Sequence, residues 1–126
     1  MISTLTLVAL GGAIGACLRF VFGMAVLRVA GTTQFPIAIL GVNILGSFLM
    51  GIFVVAAAHR GLTHLSPLVM TGLLGGFTTF SAFSLETVGL IERGQFGLAG
   101  AYVTLSVGCS VLGLMLGMTL ARGAIV

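Results

Sequence analysis

Between positions 72 and 84 the chain reads Gly72-Leu73-Leu74-Gly75-Gly76-Phe77-Thr78-Thr79-Phe80-Ser81-Ala82-Phe83-Ser84. Hydroxyls are interleaved here with aromatic rings. Ring edges carry positive quadrupole potential and hydroxyls donate hydrogen bonds, so together they suit a small anion. The glycine pair and adjacent threonines also interrupt a helix, and an interrupted helix exposes carbonyl oxygens that suit a small cation. The commonplace role of a phenylalanine stripe, lipid contact or core packing, competes with both readings.

Other residues could join such a site. Asn43 is the only amide side chain deep in an apolar segment. It serves either as interhelical glue, worth ~0.6–2 kcal/mol, or as an NH2 donor on a polar track. Tyr102, Ser106 and Ser110 recur every four residues and line one helical face. Serines in spans often bond back to their own helix, but this line could equally form a ladder of donors opposite Asn43. Arg19 lies inside an apolar stretch, where a central charge costs ~2.5–3.5 kcal/mol. It either snorkels to a surface or faces a wet vestibule. Glu86 is a further carboxylate beyond the interruption, snorkelling, hydrogen-bonded or part of an entrance. Cys17 and Cys109 lack metal-ligand spacing and read as small apolar packers. No nucleophile–base pair, phosphate loop or metal-ligand cluster is present, so the chain is not expected to be an enzyme.

The elements that position these residues follow from composition. Of the 126 residues 59% are hydrophobic and 6% charged, with a mean hydropathy of +1.31. A soluble domain of this size could not bury so much apolar surface, so the bilayer is its solvent. Four stretches are long enough to cross: Ser3 to Leu27, Pro36 to Ala58, Pro67 to Ile91 and Phe96 to Ala121. Only short polar joints separate them, Arg28 to Phe35, His59 to Ser66 and Glu92 to Gln95. The prediction is an all-α integral membrane protein, one four-helix domain over residues 1–126, with its third helix broken mid-membrane. The tetrad Ile14-Gly15-Ala16-Cys17 faintly matches a lipoprotein cleavage box, but no basic residue precedes the apolar run, so a removed leader is not expected. The five arginines form no patch, and nucleic acid is not an expected partner.

Charge leaves orientation undecided. With four spans, Arg60 and Arg122 fall on one side and Arg28 and Arg93 on the other, so the usual asymmetry that fixes topology is missing. Either the N-terminal amine, His59 or His64 supplies a weak bias, or the chain inserts both ways and pairs as an antiparallel dimer. Gly11 with Gly15, Ser47 with Gly51, and Gly113 with Gly117 are small residues four apart. That spacing permits close helix approach, between subunits or within one.

These residues resemble the Fluc/CrcB fluoride channels over all four spans. Gly11-Gly12-Ala13-Ile14-Gly15-Ala16-Cys17-Leu18-Arg19 and Val42-Asn43-Ile44-Leu45-Gly46 are suggestive, and the run from Gly72 to Thr87 is the distinctive match. The resemblance implies a dual-topology homodimer in the cell membrane, with two antiparallel protomers and two separate fluoride pores. It implies that Phe80 and Phe83 line the pores, that Asn43 is the pore asparagine, and that Tyr102, Ser106 and Ser110 form the fourth-helix polar track. It further implies that backbone carbonyls of Gly75 and Thr78, two from each protomer, hold a structural sodium ion at the dimer centre. Arg19 matches a first-helix arginine with an electrostatic role. Phe77 occupies a position expected to be simply apolar. The implied service is passive fluoride export. Two rivals fare worse. A proton-coupled multidrug transporter needs a buried carboxylate in the first span, and the first two spans contain none. A non-transporting scaffold leaves the phenylalanine–hydroxyl run unexplained.

Overall fold

The computed structural model describes residues 1–125, and every regular element among them is helical. Helix α1 runs Ile2–Ala30 and α2 runs Ile37–Arg60. The third span, Thr63–Glu92, is composite. A 3-10 turn at Thr63–Leu65 leads into a π-helical segment at Pro67–Leu74, a short α3 at Gly75–Phe77, and then α4 at Phe80–Glu92. Helix α5 runs Phe96–Ile125. All four spans are long and apolar enough to cross a bilayer, as the composition predicts.

The joints are short because glycine ends the helices sharply. Gly61 closes α2 in the left-handed region at φ 68°, and the Leu62 N–H turns back to the Ala57 carbonyl at 2.9 Å. Gly94 does the same after α4 at φ 75°, with the Gln95 N–H on the Leu90 carbonyl at 2.9 Å. The Gln95 side-chain amide donates to the Gln34 Oε1 at 2.6 Å, so the first and third joints meet at one end of the bundle.

Packing organises the spans into two backbone-close pairs. Helix α1 lies against the upstream half of the third span. A β-carbon on Gly15 would strike the Leu73 carbonyl and stand 2.9 Å from the Phe77 nitrogen, and one on Gly76 would stand 2.7 Å from the Gly12 carbonyl. Helix α2 lies against α5, where Gly51 faces the Leu114 carbonyl and Gly117 faces the Phe48 carbonyl with no room for a methyl group. The glycines of these pairs are therefore spent within the subunit, and their spacing carries no argument about assembly. Helix α4 leans between α2 and α5 over a small core of Phe83, Leu90, Ala99 and Tyr102. Large apolar side chains cover much of the outside, including Leu5, Phe20, Leu112 and Met115, as a lipid-facing surface requires.

Candidate functional site

The break in the third span falls at Thr78 and Thr79, both extended, at φ −83° ψ 161° and φ −154° ψ 121°. The glycine pair just upstream stays helical, with Gly75 at φ −64° ψ −36°. What opens the ladder is the neighbouring helix. Asn43 on α2 accepts the Thr79 N–H on its Oδ1 at 2.8 Å and donates its Nδ2 to the Thr79 carbonyl at 3.0 Å. The side-chain amide thus satisfies both backbone polar groups of Thr79, which removes part of the cost of non-helical backbone at this depth. Thr79 then caps α4, its Oγ1 accepting the Ala82 N–H at 3.1 Å.

One cavity of about 360 Å³ opens beside this break, lined by Asn43, Thr78, Phe80, Phe83, Ser106 and Ser110 among others. It brings together residues from α2, the break, α4 and α5. Phe83 is 8% exposed and packs against Phe80 at 5.3 Å and Tyr102 at 5.2 Å between ring centroids. Phe80 is 77% exposed within the subunit, so the cavity has an open apolar lip. Tyr102 borders Phe83 from behind and meets Phe35 edge-on at 5.6 Å, completing a chain of four rings.

The hydroxyls divide into two sets. Ser84 donates to the Phe80 carbonyl at 3.0 Å, Thr87 to the Phe83 carbonyl at 2.8 Å, and Thr78 to the Leu74 carbonyl at 2.9 Å. These three are spent on their own chain turn. Tyr102 Oη, Ser106 Oγ and Ser110 Oγ are buried with no hydrogen-bond partner among the described residues. A buried hydroxyl without a partner costs ~1–3 kcal/mol, so three in a row on one helix face form a site waiting for an acceptor.

The remaining candidates lie elsewhere. Arg19 lines neither this cavity nor a second one, and its Nε is buried without a partner among the described residues. Gly75 faces outward, away from the cavity. Phe77 is separated from Phe80 by the break and packs edge-on against Phe22 at 6.1 Å, so the three phenylalanines form no common stripe. Cys17 is exposed on α1 and Cys109 half-buried on α5. Glu86 borders a second cavity of about 560 Å³ with Arg93, Phe35 and the 31–39 stretch, at the end of the bundle where the first and third joints meet. Thr79 is the site residue that spacing did not single out. Its signal was its place directly before a new helical run, the position of an N-cap.

Comparison with known proteins gives a consistent result. The family model described as CrcB-like protein, Camphor Resistance (CrcB), matches residues 6–118. A relative from Ruegeria sp. (strain TM1040), named Fluoride-specific ion channel FluC, is 64% identical over 125 residues, covering 99% of each chain. The protein of the same name from Roseobacter denitrificans is 67% identical over 121 residues, covering 95% of this chain and 96% of its own. That from Paracoccus denitrificans is 47% identical over 116 residues, covering 92% of each.

Proposed function

The chain belongs to the CrcB-like family, and we propose on that footing that it exports fluoride passively through two pores of an antiparallel, dual-topology homodimer. The activity of its relatives, fluoride-specific conduction, is the activity of this multi-pass membrane protein. It is a channel and no enzyme.

The observation that carries the pathway is the row of unpartnered hydroxyls facing aromatic rings. Fluoride is small and strongly hydrated, so its water must be replaced by closely spaced donors. Ser106 and Ser110 supply free O–H groups to the cavity, and Asn43 keeps a second N–H after bonding Thr79. The edges of Phe80 and Phe83 supply positive potential without a full charge. Binding is then strong enough to draw the ion in and weak enough to release it. Fluoride that enters a cell from acidic surroundings as the neutral acid ionises inside, and a passive path lets the anion leave.

The dimer reading is supported by what lies open on one subunit. Phe80 and Gly75 are exposed at mid-span, where a second copy would complete the wall. The balanced arginines favour insertion in both directions. Sodium fits the donor set. The Gly75 and Thr78 carbonyls have lost their helical partners, because the Thr79 and Ala82 N–H groups bond to side chains instead. A sodium ion held by these oxygens from both subunits would supply a fixed positive charge at the centre. Arg19, with its unpartnered Nε, is proposed to add to the positive field.

The test is ion efflux from liposomes loaded with fluoride or chloride and containing purified protein. Rapid fluoride efflux without chloride efflux is expected, and equal leakage of both anions refutes the reading. Crosslinking at the lip of the cavity should capture antiparallel pairs; capture of parallel pairs alone refutes dual topology.

A further inference from the structure

Resting on the sodium reading above, we propose that Asn43 and Thr79 are the positioning residues that create the cation site, each by intercepting one backbone N–H. In an unbroken helix the carbonyl of residue i accepts the N–H of residue i+4. The Gly75 carbonyl would take the Thr79 N–H, and the Thr78 carbonyl would take the Ala82 N–H. Neither bond forms. The Thr79 N–H goes to Asn43 Oδ1 at 2.8 Å, and the Ala82 N–H goes to Thr79 Oγ1 at 3.1 Å. Two side chains divert two donors, and the two carbonyls left over are the pair assigned to the ion.

The rest of the local geometry holds this exchange in place. Asn43 Nδ2 grips the Thr79 carbonyl at 3.0 Å, so Thr79 is held at both of its backbone groups. The Thr78 hydroxyl turns back to the Leu74 carbonyl at 2.9 Å and leaves the cap to Thr79. Upstream, the Thr78 N–H keeps its ordinary bond to Leu74 at 3.0 Å, so the helix is intact up to the diverted donors. Removing either interceptor lets α4 grow backward by a turn and refill a carbonyl. Asn43 therefore has a role in the cation site that is separate from any contact with the anion. Thr79 also lines the cavity, and its hydroxyl lies 3.3 Å from that of Ser81.

The test is thermal melting of the full-length protein in detergent micelles, titrating sodium against N-methylglucamine at constant ionic strength. A cation that binds only the folded state raises the melting temperature along a saturable curve. Thr79→Val keeps the shape and removes the acceptor, so one carbonyl per subunit is lost to the ion and half-saturating sodium should rise about tenfold or more, the equivalent of ~1.4 kcal/mol or more. Thr79→Ser keeps the acceptor and should restore the parent curve. Asn43→Leu should shift the curve in the same direction; if it does not fold, the two threonine variants decide. A Thr79→Val curve that coincides with the parent's overturns the interception and leaves the sodium reading standing. A parent curve without sodium dependence overturns the sodium reading itself, and the interception with it.

Discussion

Upstream of Thr78 the third span lies backbone-to-backbone against α1, whereas downstream of Thr79 it is held by an asparagine, a threonine cap and a stack of rings. In the upstream half Gly15 and Gly76 leave no space between two main chains. Contacts of that kind are rigid, because neither backbone can give way. In the downstream half Phe83 packs between Phe80 and Tyr102, and Asn43 holds the hinge. The cavity borders only this second half and the break itself. One segment thus combines an immovable anchor with a side-chain-lined wall. The position of Phe80 and Phe83 is inherited from the anchor, and their chemistry is free to differ from it.

The largest effect is expected from breaking the anchor. Gly15→Val drives three carbon atoms into the Leu73 carbonyl and the Phe77 nitrogen. Overpacking a yielding core costs ~1–3 kcal/mol, and this site cannot yield, so monodisperse protein should be lost on size-exclusion chromatography. Gly23→Ala on the same helix meets nothing within 4 Å and should be neutral or stabilise by ~0.5–1 kcal/mol. Equal tolerance at both positions would remove the distinction between the two halves.

The second test lies within the wall. Phe83→Ala empties a buried site and should cost ~3 kcal/mol of stability, read as a lower melting temperature. Phe80→Ala removes a ring that is 77% exposed within the subunit and should cost less than half of that. Both should abolish fluoride efflux from liposomes. A Phe80→Ala protein that melts low like Phe83→Ala would make Phe80 a packing residue, and one that still conducts would remove it from the wall.

Legibility in the sequence followed the range of the interaction. The four spans were readable because hydropathy is a local property, and the helices begin and end within a few residues of the expected bounds. The line from Tyr102 through Ser110 was readable because helical periodicity is local too. The place of the break is readable only in part. The glycine pair and the adjacent threonines both mark the run as a weak point, yet Gly76 serves the approach to Gly12, and only Thr78 and Thr79 open. That choice depends on Asn43, 36 residues earlier in the chain, and no local pattern reports it. The π-helical widening at Pro67–Leu74 is equally hidden. A spacing of three places all three phenylalanines on one stripe only along a continuous helix, and the break sets Phe77 apart from the other two.

The smallest effect is the most discriminating, because two serines on facing helices are expected to respond differently. Ser84 spends its hydroxyl on the Phe80 carbonyl, and Ser106 does not spend its hydroxyl at all. Ser84→Ala should therefore leave fluoride efflux unchanged and alter stability by no more than ~0.5 kcal/mol, as for other exposed sites. Ser106→Ala removes a buried group that has no partner in the resting protein, which should raise stability by ~1 kcal/mol. The same change removes a donor to a charged ion, worth ~1.5 kcal/mol or more, and should slow fluoride efflux about tenfold. A protein that becomes more stable while it conducts less identifies a hydroxyl kept for the ion and not for the fold. If Ser106→Ala loses stability and conducts normally, the hydroxyl is structural, and the ladder on α5 belongs to packing.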